Sequence, residues 1–172
     1  VSNDKEENIN RLYKNLGDGV FQDVSVSSNA GVDVSAMSTT LGDFNNDGWF
    51  DIYITNTPFS QVSSIQGNVL LKNNGDGTFT NVATETGTSF DSVGWGAVFL
   101  DADNDGLLDI YVSSSENGNG SLISSAFYHQ QTDETFIIPQ DIGFNIDLRE
   151  SYSNAIGDIN NDGKPEIVVG ND

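Results

Sequence analysis

Asp43-Phe44-Asn45-Asn46-Asp47-Gly48-Trp49-Phe50-Asp51 is the stretch on which the reading of this chain turns, because the chain repeats it. It returns as Asp101-Ala102-Asp103-Asn104-Asp105-Gly106-Leu107-Leu108-Asp109 and again as Asp158-Ile159-Asn160-Asn161-Asp162-Gly163-Lys164-Pro165-Glu166, at offsets of 58 and 57 residues. A second motif keeps the same frame. Asn10 to Phe21 matches Asn68 to Phe79, and a worn third copy ends at Phe136. Two independent motifs in one register mean that a whole unit is duplicated, and repeat architectures follow from such a period.

Each unit reads as four short strands. Thr39-Thr40-Leu41-Gly42 and Ala97-Val98-Phe99-Leu100 precede the acidic stretch, and Ile52-Tyr53-Ile54, Ile110-Tyr111-Val112 and Ile167-Val168-Val169 follow it. These runs are short, β-rich and bounded by Gly, Asn and Asp, which selects strand over helix. Gly17-Asp18-Gly19 and Gly75-Asp76-Gly77 read as tight hairpin turns joining a third strand to a fourth. No helical periodicity of any length is found. The expected fold is all-β, built of propeller-type blades of four antiparallel strands. A polar tail (1–9) precedes a half-blade of strands three and four (10–25). Complete blades follow at 36–82 and 93–138, then a half-blade of strands one and two (153–170).

The acidic loops carry the chemistry. Calcium takes six to eight oxygens, and alternate residues of a tight loop converge on one point. Loop positions 1, 3, 5 and 9 offer side-chain oxygens and position 7 its backbone carbonyl. The candidate ligands are Asp43, Asn45, Asp47, Asp51 and the carbonyl of Trp49; Asp101, Asp103, Asp105, Asp109 and the carbonyl of Leu107; Asp158, Asn160, Asp162, Glu166 and the carbonyl of Lys164. Gly48, Gly106 and Gly163 stand at position 6, where the chain turns sharply. Three Ca2+ sites are expected, the ligand number favouring calcium over magnesium, which keeps several of its waters. An EF-hand shares the first six positions but needs an acidic residue at position 12, where this chain has Ile54, Val112 and Val169, and it needs flanking helices. Asp-Gly clusters are most often plain polar turns. Ten carboxylates gathered into three loops would repel one another strongly without a cation, which favours metal.

Gly-Asp-Phe-Asn-Asn-Asp-Gly followed by Asp51-Ile52-Tyr53, combined with Asn-x-Leu-x-x-Asn-x-Gly-Asp-Gly-x-Phe at 68–79, resembles the FG-GAP/VCBS repeat family, which includes integrin α-subunit propellers and the cartilage-acidic-protein and UnbV-like group. The resemblance spans about Asn10 to Gly170. It implies calcium-stapled blades whose acidic loop joins strands one and two, in secreted or cell-surface proteins that adhere, recognise ligands or scaffold. Two features depart from the family. Its propellers have about seven blades, whereas this chain has material for three, and the third hairpin, Gln131-Thr132-Asp133-Glu134, lacks the Gly-Asp-Gly turn.

Composition narrows the partners. Lys+Arg 6 against Asp+Glu 26, a formal net charge of -20, argues against nucleic acid and anionic membrane surfaces. No apolar run approaches the roughly 20 residues of a membrane span, and the polar N-terminus has no signal-peptide pattern. With no cysteine there is neither a disulfide framework nor a thiolate ligand. An enzyme is not expected: no serine stands in a nucleophile elbow, and the single histidine, His129, aligns with Lys14 and Lys72 at a surface strand position. Trp49 and Trp95 are weighed between core packing and a contact surface, and Asn119-Gly120-Ser121 is a glycosylation sequon. Two functions remain: a structural scaffold, self-associating as the C-terminal half-blade of one copy is completed by the N-terminal half-blade of the next or continuing into further blades; and an adhesion or recognition module binding a protein or glycan through its loops.

Overall fold

A computed structural model describes residues 9–57, 65–90, 92–115, 121, 123–140, 142–143 and 148–172. Its strands fall into four antiparallel sheets in chain order. The first pairs β1 (Tyr13–Gly17) with β2 (Val20–Asp23). The second is a meander of β3 (Ala36–Gly42), β4 (Asp51–Asn56), β5 (Val69–Asn73) and β6 (Phe79–Asn81). The third repeats it with β7 (Gly94–Leu100), β8 (Asp109–Ser114), β9 (Ala126–Gln130) and β10 (Phe136–Ile137). The fourth pairs β11 (Ser151–Gly157) with β12 (Glu166–Asn171). The two four-stranded sheets are the expected blades, and they do not close into a ring.

Strand periodicity explains how the sheets stack. Successive side chains alternate between the faces of a sheet, so Ile52 and Ile54 of β4 join one apolar cluster with Val69, Leu71, Val34 and Ala36, while Tyr53 and Leu70 face the other way into a second. That second cluster sits between the two complete sheets, with Phe99, Ile110, Val112, Tyr128 and Phe136 from the far side. Every residue of β4 and of β8 is buried, as befits strands covered on both faces. The first strands β3, β7 and β11 pack side by side, β7 touching both neighbours. Small residues permit this approach: a Cβ on Gly42 would come within 2.8 Å of the Phe99 ring of β7, and one on Gly96 within 3.2 Å of the Ser153 Cα of β11.

Two local features depart from the sequence reading. One helical turn, α1 (Ala83–Thr86), links the complete sheets and is closed by Gly87 in the left-handed region (φ 80°). Four residues are too few to show a period. The hairpin at Gln131–Glu134 keeps its turn although it has lost its glycines: Gln131 N–H donates to the Thr135 carbonyl at 2.8 Å, and Glu134 adopts φ 66° where the repeat has Gly77. Among the described residues no helix is long and apolar enough to cross a membrane.

A buried polar lock crosses the core. The Tyr53 hydroxyl, fully buried, donates to the Thr88 carbonyl (2.8 Å) and accepts from Asn68 Nδ2 (3.0 Å), while Asn68 Oδ1 accepts the Asn56 N–H (2.8 Å). Removing only the hydroxyl leaves a buried carbonyl and amide without their partner, so Tyr53→Phe should lower stability by about 1–3 kcal/mol. Urea denaturation checks this, and an unchanged midpoint would show that the lock contributes nothing.

Candidate metal centre

The three acidic loops leave β3, β7 and β11 and enter β4, β8 and β12, and one hydrogen-bond scheme shapes all three. The position-1 carboxylate accepts the N–H groups of positions 5 and 6: Asp43 from Asp47 (3.0 Å) and Gly48 (2.9 Å), Asp101 from Asp105 (3.1 Å) and Gly106 (3.0 Å), Asp158 from Asp162 (3.1 Å) and Gly163 (2.9 Å). The position-5 carboxylate accepts the N–H of position 7, at Trp49 (2.9 Å), Leu107 (2.8 Å) and Lys164 (2.9 Å). These bonds fix the peptide between positions 6 and 7, next to the position-7 carbonyl that the sequence nominates. The position-9 carboxylate closes the loop by accepting the N–H of position 2, at Phe44 (3.0 Å), Ala102 (3.1 Å) and Ile159 (2.7 Å). Gly48, Gly106 and Gly163 have φ of 89°, 86° and 87°, so the turn at position 6 needs the freedom of glycine.

In the second loop the carboxylate oxygens of Asp101, Asp103 and Asp105 lie within 4.8 Å of one another, close enough for one cation to touch all three. The first and third loops carry an asparagine at the central position. Asn45 donates to Asp47 Oδ2 (2.9 Å), while its Oδ1 is buried with no hydrogen-bond partner. Asn160 donates to Asp162 Oδ2 (3.1 Å) and Glu166 Oε1 (3.0 Å). The donor set consists of carboxylate, amide and carbonyl oxygens, with an orphaned amide oxygen in the first loop, and such a set suits a hard divalent cation.

Position 9 has a second task that its sequence reading as a ligand does not contain. Asp51 and Asp109 are wholly buried, and each also accepts a backbone N–H from the third strand of its sheet: Asn73 at 2.8 Å, Gln130 at 2.9 Å. Burial pushes the Asp51 carboxyl up to about 6; the Asn73 and Phe44 N–H groups oppose this, and the charges of Asp47 and Asp43 add to it. Burial likewise raises Asp109, opposed by the N–H groups of Gln130 and Ala102 and by His129. Asp47 is lowered, chiefly by the Asn45 amide.

His129 stands on its expected strand position but is half-buried, with Nδ1 3.0 Å from Asp109 Oδ1 and its ring stacked on Phe127. Trp49 is 52% exposed and lies over the Gly75 turn. Trp95 packs inward, donating from Nε1 to Ser115 (2.7 Å) with its ring edge-on to Tyr152. The sequon asparagine Asn119 lies outside the described residues.

Position 4 escaped the sequence reading. Asn46, Asn104 and Asn161 all occupy the left-handed region, with φ of 56°, 60° and 59°. Asn46 Nδ2 donates across to the Gly106 carbonyl of the second loop (3.0 Å), and Asn104 Nδ2 to the Gly163 carbonyl of the third (2.8 Å). The signal was present as an asparagine at the same place in all three copies, since asparagine tolerates positive φ better than other side chains.

The model for FG-GAP-like repeats matches residues 1–54 and 59–112, and that for the FG-GAP repeat matches residues 151–172. No curated protein matches the chain at a significant level.

The left-handed loop position separates two substitutions that remove the same hydrogen bond. Asn104→Gly and Asn104→Ala both lose the contact to Gly163, but only alanine meets the steric cost of positive φ. The alanine variant should be the less stable by about 1 kcal/mol in urea denaturation. Equal midpoints would mean that the loop relaxes out of this conformation.

Proposed function

Because the chain belongs to the FG-GAP-like repeat family, whose repeats are typical of extracellular, adhesion-type β-modules, we propose that its three acidic loops each hold one Ca2+ and that it serves outside the cell as a non-catalytic structural scaffold, self-associating head to tail. The observation that carries the metal reading is the threefold loop, with the carboxylates of Asp101, Asp103 and Asp105 converging within 4.8 Å. Bound calcium supplies positive charge at the point where these oxygens meet. Asp43, Asp101 and Asp158 hold the loop backbone in its turn, Asn45, Asp103 and Asn160 offer the central oxygen, and Asp51, Asp109 and Glu166 anchor the loop to the second strand. The single histidine is engaged with Asp109 and accompanies no nucleophile motif, which supports binding rather than chemistry. Exposed Trp49 and Phe50 on the first loop favour a second reading, recognition of a protein or glycan surface.

A cation that binds only the folded chain stabilises it by RT ln(1 + [L]/Kd), about 1.4 kcal/mol per site at ten times Kd. Melting in millimolar calcium against chelator measures this, since extracellular modules bind at about 10⁻⁴–10⁻³ M. The melting temperature should rise with calcium, and an unchanged one sinks the metal reading. Asp105→Ala should erase more of the calcium-dependent rise than Asp76→Ala in a hairpin turn; equal losses count against the ligand set.

The sign of the pH effect follows from Asp51. Its folded carboxyl is raised from 3.8 to about 6, so the cation-free fold binds more protons than the unfolded chain between those values and becomes relatively more stable as pH falls through that window. Calcium requires the ionised carboxylate. The calcium-dependent rise in melting temperature should therefore shrink as pH falls through about 6. A rise that is the same at pH 5 and pH 7.5 would show that Asp51 is not coupled to the cation.

A further inference from the structure

Two hydrogen bonds among the described residues join the first acidic loop to the sheet that carries the second, and both end on peptides beside candidate ligands. Asn46, standing between Asn45 and Asp47, donates from Nδ2 to the Gly106 carbonyl of the second loop (3.0 Å). The peptide between Gly106 and Leu107 also donates its N–H to Asp105 (2.8 Å), so the first loop and a candidate ligand of the second hold one peptide plane by its two edges. Gln130 makes the reverse connection. This residue of β9, 2% exposed, gives its backbone N–H to Asp109 of the second loop (2.9 Å) and its side-chain Nε2 to the Phe44 carbonyl of the first (2.8 Å). That carbonyl belongs to the peptide entering Asn45, whose buried Oδ1 has no hydrogen-bond partner.

Such links share the cost of ordering. Each loop must fix its backbone before its oxygens converge, and a peptide fixed by one loop is already fixed for the other. Binding that rigidifies one site therefore lowers the ordering cost at the next, and the coupling is reciprocal. Two net hydrogen bonds account for a coupling of about tenfold. Charge works in the opposite direction. An ion in the second loop offsets part of the field of its four carboxylates, a field that also draws an ion to the first loop. That field acts with or without Asn46 and Gln130, so the sign of the coupling separates the two effects.

We infer that the first and second acidic loops form a coupled pair of calcium sites, with Asn46 and Gln130 as the positioning residues through which an ion at one loop tightens binding at the other. The inference rests on the calcium reading above and adds its regulation. Asn104 extends the coupling to the third loop through the Gly163 carbonyl (2.8 Å). Calcium then loads the array over a narrower range of concentration than independent sites allow. The contact between the two complete sheets stiffens in the same step, because Gln130 belongs to one sheet and Phe44 to the loop of the other.

Trp49 makes the coupling measurable, since it stands in the first loop, while Trp95 lies at the end of β7 away from the second loop. Its emission gives the calcium concentration at which the first loop fills. Asp103→Ala should empty the second loop while keeping the carboxylates of positions 1, 5 and 9 that shape it, and calorimetry counts the ion lost. The first loop should then fill at about tenfold higher calcium than in the unsubstituted chain. Charge alone predicts the reverse, because three carboxylates without an ion are more negative than four with one. Asn46→Gly combined with Gln130→Met removes both bridging amides, leaving a residue at position 4 that accepts positive φ and the backbone N–H to Asp109. In that background Asp103→Ala should no longer weaken the first loop. A first loop indifferent to Asp103→Ala overturns the coupling, and so does equal weakening with and without the bridging side chains. The calorimetric isotherm of the unsubstituted chain should also be steeper than that of Asn46→Gly alone, which keeps the test open if Gln130→Met folds poorly; equal steepness overturns the coupling. Loops that fill independently leave the calcium reading standing while this one fails, and no response to calcium in emission or heat overturns both.

Discussion

A carboxylate buried at the start of each complete second strand holds the architecture together. Asp51 and Asp109 are sealed from solvent, yet each sits where two backbone N–H groups from different parts of the blade need an acceptor. One oxygen ties the loop to itself and the other ties it to the third strand. Placing a charged acceptor there is costly unless the charge is paired, since desolvation penalises the ionised form and neighbouring aspartates add to the penalty. A loop that gathers more carboxylates around such a group therefore makes physical sense as a cation cage. The same atoms that would bind the ion are those that position the strands.

The architecture was legible because it is written twice, in a period and in a pattern. Two motifs in one register revealed the unit, and short β-rich runs between Gly, Asn and Asp gave the strands. The loop residues that bend the chain were legible at Gly48, Gly106 and Gly163 for a steric reason. What was hidden depends on tertiary partners. Nothing local to Asn46 says that its amide will reach a carbonyl 60 residues away, and nothing local to Asp51 says that a third-strand N–H will claim its second oxygen. Glu134 conceals a turn that glycine would have announced, because the Asp133 carboxylate still caps the Thr135 N–H at 3.1 Å.

The sheets are held to one another rather than each enclosing a core. One apolar cluster lies between the two complete sheets and the other between the first complete sheet and the N-terminal segment. Gly42 and Gly96 let the inner strands approach until an added methyl would meet the Phe99 ring at 2.8 Å or the Asn154 amide at 3.0 Å. Each complete sheet supplies half of two interfaces, so stability is a sum over nearest neighbours, as in other repeat arrays. Among the described residues the two-stranded sheets leave Tyr13, Leu16, Val20 and Phe21 exposed in the first and Ile156 and Val168 in the fourth.

The spacing of the repeats has a consequence for how such chains diversify. Offsets from the first complete unit to the second are 58 residues through the acidic loop and second strand, as from Tyr53 to Tyr111, but 57 from Val69 to Ala126. The lost residue therefore falls in the connection between second and third strands, away from the loops, the inner strands and the links between them. That connection is where length can drift without disturbing the angular step from one sheet to the next. Gene duplication that copies a whole step would lengthen the array with its interfaces already matched, whereas an insertion inside a loop would break the sequence of links on both sides. In these units the difference in length falls between the second and third strands, while the acidic loop keeps nine residues in all three copies.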